Sequence, residues 1–142
     1  MLYTQQLEVA LHEMAHRHIA RKHGFTVFSV ALLGTGSGEC VTQGSGSETP
    51  TQVIELCLAG IGAQLAYNGQ TMTFREADKH LSYQADCNTI KLLLRADKRV
   101  SEETVDKALA RLTRYFSRKS VMIPLIKESV ELVEHKKITY EV

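Results

Sequence analysis

Apolar residues recur at helical spacing near the N-terminus: Leu7, Leu11, Met14, Ala15 and Ile19, with His18 on the same stripe. Thr4 can serve as N-cap and Gly24 as the stop, and Arg21, Lys22 and His23 lie where a helix dipole favours cations. The pattern predicts a first helix over 4–23. The period then changes. FTVFSVALL, residues 25–33, is rich in β-branched and aromatic residues and reads as a strand. In GTGSGECVTQGSGSETP, residues 34–50, glycine clusters flank ECVTQ, 39–43, which can return as a short second strand. That makes 25–43 a hairpin or small meander.

Helix dominates the rest. Thr49-Pro50-Thr51-Gln52 combines an N-cap, Pro at the first helical position and Gln at the third. The helix it starts runs to about Asn68 and stops at Gly69. A third helix is predicted over 79–97, with Leu81, Ala85, Ile90, Leu93 and Leu94 inward. Ser101-Glu102-Glu103 caps a fourth, running to about 118, and Pro124 sits near the start of a last helix over 122–136. No repeat and no long linker divides the chain. Residues 1–142 read as one domain, mainly α (α+β), with 98–137 as a C-terminal helical segment.

Length and charge narrow the classes. A chain of 142 residues supports one good core. A net charge of +1 gives no global pull towards nucleic acid or an acidic membrane. The basic run RLTRYFSRKS, 111–120, interleaves aromatic residues, but Glu102, Glu103, Asp106, Glu128, Glu131 and Glu134 offset it, so no nucleic-acid partner is expected. Cys40, Cys57 and Cys87 are an odd set without C-x-x-C spacing, which suits a reducing compartment. The first ten residues do not look like a signal peptide. The longest apolar run, VIELCLAGIGAQLAY, is interrupted by Glu55 and Gln64 and is too short to span a bilayer. The expectation is a cytoplasmic protein without a membrane partner.

The candidate chemistry lies in helix 1. His12-Glu13-Met14-Ala15-His16 matches H-E-x-x-H. Residues four apart are about 40° apart around a helix and about 6 Å apart along it, so two imidazoles can converge on one Zn²⁺. Glu13, beside them, can take a proton from an attacking water and pass it to a leaving amine. His18 points elsewhere. His23 returns to the same face but sits about 10 Å further along the axis than His16, so it is read as a dipole partner. Ile19 and Lys22 stand where a metzincin would have Gly and His. A third ligand must come from another element, and Glu55, Glu76, Asp78, His80 and Asp86 are open on the residues alone. GTGSG, 34–38, lacks G-x-G-x-x-G spacing and no helix start follows it, so it is not read as a phosphate loop.

In order along the chain, LHEMAHRHIA, LAGIGAQLAYNG and SYQADCNTIKLL resemble the peptidase domain of FtsH-type AAA zinc metalloproteases, over roughly residues 7–97. The resemblance implies a zincin-like helical domain in which His12, His16 and Asp86 bind zinc and Glu13 is the catalytic base. Ala15 replaces the family's usual Gly, and Gln64 and Leu65 stand where it tends to have acids. The stretch from Gly69 to Asp86 is longer than usual. Nothing here resembles a Walker A loop, so the reading is of a stand-alone domain lacking the ATPase module. The expected function is a zinc-dependent endopeptidase cutting flexible polypeptides. Its expected partners are a protein or peptide substrate, a separate unfoldase, and further copies in a homo-oligomer. A substrate could add as a strand to the 25–43 sheet, with the 34–47 loop closing over it or remaining a surface turn. The alternative is a catalytically inactive zincin-like zinc-binding regulatory or interaction module.

Overall fold

The first helix, α1, spans Tyr3–Lys22 in the computed structural model, which describes residues 2–34 and 36–142. Met1 and Thr35, the latter inside the glycine-rich stretch, lie outside the described residues. Thr4 falls inside α1 and does not cap it; the N–H of Leu2 instead donates to Gln5 Oε1 at 3.2 Å. At the other end Gly24 takes φ +80°, and the Phe25 N–H reaches back to the Ala20 carbonyl at 2.8 Å. Only a residue without a Cβ adopts that backbone readily, so glycine ends the helix where the sequence places it.

The chain then forms β1 (Thr26–Leu32) and β2 (Gly38–Gln43), an antiparallel pair whose register shifts between Val27 and Ser29. A third strand, β3 (Lys137–Thr139), pairs with the other edge of β1, giving the order β2-β1-β3. The sequence pattern does not reveal β3, because three residues carry no period. The sheet packs on α1, and the last helix, over 119–135, joins it there.

Helix α2 (Pro50–Tyr67) is the centre of the molecule, packed between α1 and α5 (Glu102–Phe116). Its start follows the predicted capping box: Thr49 Oγ1 accepts from the Gln52 N–H at 3.2 Å, and Gln52 Oε1 accepts from the Thr49 N–H at 3.0 Å. Ile54, Leu58, Ile61 and Leu65 are fully buried along it. Ser101 caps α5 through its Oγ, 3.2 Å from the Thr104 N–H.

The predicted third helix differs. A short α3 (Phe74–Ala77) and a 3-10 turn at Leu81–Tyr83 precede α4 (Gln84–Ala96). Leu81 therefore does not share the phase of α4 and is 92% exposed, and Ala85 also faces outward; Cys87 and Ile90 form the buried face. The last helix, α6 (Lys119–His135), starts earlier than its proline suggested, with exposed Pro124 inside it. Among the described residues no helix is long and apolar enough to cross a membrane. The fold is mainly α, with a small antiparallel sheet after the first helix as expected.

Phe116 is fully buried at the end of α5, its ring 5.9 Å from that of His18 on α1. Phe116→Ala is expected to cost about 3–5 kcal/mol, the usual range for emptying such a site. Urea unfolding of both proteins would measure it, and a loss under about 1 kcal/mol would mean the core collapses around the gap.

Candidate metal centre

His12, Glu13 and His16 sit where α1 is most enclosed, with relative exposures of 8, 9 and 8%. The helix has apolar residues on both sides of this stretch, so burying Leu11, Met14 and Ala15 carries the two histidines inward with them. Opposite them, Asp86 comes from the first turn of α4. His12 Nε2 lies 2.7 Å from Asp86 Oδ2, and His16 Nε2 lies 3.3 Å from the same oxygen. Ligand atoms of these three side chains all lie within 4.8 Å of one another.

The far side of each imidazole is anchored. His16 Nδ1 donates to the Leu56 carbonyl at 2.7 Å. His12 Nδ1 lies 2.5 Å from Gln64 Oε1 and donates to it. A carbonyl oxygen can only accept, so both Nδ1 atoms carry hydrogen and both Nε2 atoms turn their lone-pair positions to Asp86. Two such lone pairs would repel a carboxylate oxygen, so either each Nε2 carries a proton or a metal ion lies between them. Burial opposes charge on His16, but its hydrogen bond to Asp86 and the charge of that carboxylate outweigh it, and the pKa is pushed up to about 9. Burial alone would raise Asp86, yet the hydrogen bonds from His12 and His16 hold its carboxyl well below the usual carboxylate range. Two imidazole nitrogens, one carboxylate oxygen and anchored outer nitrogens are a donor set that fits zinc.

Glu13 opens into the same cleft, a cavity of about 570 Å³ lined also by Gly38, Cys40, Leu56 and Asp86. Burial pushes its carboxyl pKa up; His16 and His12 pull it down less, and Asp86 adds to the rise. A carboxylate whose pKa is raised is a stronger base, as a proton acceptor requires.

The other residues left open in the sequence have different partners. Glu55 pairs with His23 Nε2 at 2.9 Å and lies 3.8 Å from Arg111. Asp78 pairs with Lys91 at 3.0 Å. Glu76 accepts from the Thr73 N–H at 3.0 Å in the cap of α3, and the His80 ring lies 5.3 Å from that of Tyr83. His18 Nε2 is 2.6 Å from the Tyr115 hydroxyl. His23 is the C-cap residue of α1, and its side chain ties that end to Glu55 of α2. Cys87 is a buried free thiol.

Sequence reasoning missed three contributors. Gln64 is the one polar side chain between Glu55 and Tyr67, and that isolation was its signal. The Leu56 carbonyl carries no signal, because it is backbone. Gly60 is explained only by space: a Cβ there would stand 2.5 Å from His12 Cε1 and closer still to Cδ2 and Nε2. Gly60→Ala pits a gain of about 1 kcal/mol in helix propensity against displacement of the His12 ring. The ring contact is the steeper term, so zinc affinity is expected to fall more than about tenfold, the lower end of what disturbing a ligand's support costs. Competition against a zinc-sensitive dye would show it; unchanged affinity would mean that α2 shifts away without disturbing the ligand.

No protein-family model matches the chain, and no match is found among curated proteins.

Proposed function

We propose that this chain is a zinc-dependent endopeptidase of the FtsH-peptidase type, acting on flexible polypeptide segments. The observation that carries the reading is the convergence of His12 Nε2 and His16 Nε2 on Asp86 Oδ2, with Glu13 in the same cleft. His12, His16 and Asp86 would hold the zinc. When bound, the metal supplies Lewis-acid chemistry, polarising a carbonyl and lowering the pKa of water. Gln64 and the Leu56 carbonyl keep the two Nε2 atoms facing the site. Glu13 takes one proton from the attacking water as the C–O bond forms, and passes it to the amide nitrogen as the C–N bond breaks. Its raised pKa makes it the stronger base for the first half of that exchange.

The cleft is walled on one side by β2, an edge strand of the sheet. Extended substrates suit such a groove, and folded ones would need a separate unfoldase. Three free cysteines accord with a reducing, cytoplasmic setting. The test is hydrolysis of an unstructured protein such as casein, with zinc removed by chelation and then restored. Cleavage that disappears and returns with the metal, and is absent in Glu13→Gln, supports the reading. Stoichiometric zinc with no cleavage of any unfolded chain would favour an inactive zinc-binding module.

A further inference from the structure

The place of Glu13 is set partly from outside its own helix. Gly38 opens β2, paired in register with Leu32. A Cβ built on Gly38 would stand 2.6 Å from Glu13 Cγ, 3.0 Å from the Ala31 carbonyl oxygen and 3.1 Å from Val9 Cγ1. The close atom is the root of the Glu13 side chain rather than its free end, so it cannot swing clear while χ1 holds. Gly38 is not among the glycines with positive φ, which are Gly24, Gly36, Gly46 and Gly69. Its backbone is one that any residue adopts. The requirement for glycine at this position is therefore one of space and not of conformation.

We infer that Gly38 is a positioning residue for Glu13. The bare Cα of the edge strand is the wall against which the Glu13 stem lies, and a side chain there would push the carboxylate away from the histidines and Asp86. This rests on the reading of Glu13 as the proton carrier. It gives part of the glycine-rich run a role that its spacing as a motif does not suggest.

A stability cycle on the zinc-free protein tests the contact without using activity. Four proteins are unfolded in urea: wild type, Gly38→Ala, Glu13→Ala and the double variant. Alanine is ordinarily better than glycine in a strand, so a lowered midpoint in Gly38→Ala reports crowding. The expected result is a clear drop with Glu13 present that at least halves when Glu13→Ala removes the Cγ; the remainder belongs to Ala31 and Val9. Rescue of an unfolded Gly38→Ala by the second substitution would support the contact equally. Equal drops in both backgrounds, no drop in either, or failure of both Gly38 variants to fold would overturn it.

The same variants are then loaded with zinc and assayed on peptide. Gly38→Ala should keep its zinc and hold KM within about twofold, while kcat falls about 100-fold, the scale expected for a reacting group displaced by about 1 Å. Full kcat in Gly38→Ala overturns the inference and leaves the peptidase reading standing. A coupled cycle with an inert, zinc-loaded wild type overturns both, because Glu13 would then be held in place but not used.

Discussion

Asp86→Asn is expected to leave the protein folded and nearly free of zinc. The substitution keeps the shape of the side chain and removes its charge. Asp86 Oδ2 is the oxygen on which both Nε2 atoms converge. Loss of even an outer partner of a metal ligand costs about 10–100-fold in affinity, so loss of the anionic ligand itself should exceed about 100-fold. Zinc per chain, measured on proteins purified side by side without added metal, should be near one in the wild type and near zero in the variant. Glu55→Ala and Asp78→Ala should retain it, because those acids are paired with His23 and Lys91 away from the cleft. Circular dichroism separates lost metal from lost fold. Zinc retained in Asp86→Asn would move the site elsewhere and remove the central support for the FtsH-type reading.

The second large effect is expected from Glu13→Gln. The amide preserves the length of the side chain and its Cγ, so the packing against Gly38 is unchanged and zinc should bind as before. What disappears is a group that can accept a proton. General acid–base contributions are typically about 10²–10⁴-fold, and hydrolysis should fall by that factor with little change in KM. A variant that still cleaves at more than a tenth of the wild-type rate would show that another group carries the proton.

Much of this architecture is legible in the chain alone. The stripe from Leu7 to Ile19, the stop at Gly24, the capping box at Thr49 and the cap at Ser101 act through contacts a few residues away, so local pattern is enough to locate them. The same holds for His12, Glu13 and His16, whose adjacency on one helix face follows from the 3.6-residue turn. Where local rules compete, the reading slips. Leu81 looks like the first inward residue of a helix, yet it sits in a separate 3-10 turn, out of phase with the buried Cys87 and Ile90 face of α4, and faces solvent. The strand β3 is stable only because β1 offers it an edge.

The sequence by itself therefore determined the first, second and fourth predicted helices, the hairpin and two of the three candidate ligands, since each depends on spacing within one element, and it offered Asp86 only through a family resemblance. Tertiary structure alone decided what crosses between elements. It set Asp86 against the two histidines from 74 and 70 residues away, and left Glu55 and Asp78 with other partners. It also placed Gln64 and the Leu56 carbonyl behind the imidazoles, and Gly60 and Gly38 against His12 and Glu13. The physical reason is that these are contacts of direction and space. A residue's type shows what it can donate, accept or fail to obstruct, and only the packing of α1 against α2, α4 and β2 fixes what stands opposite it.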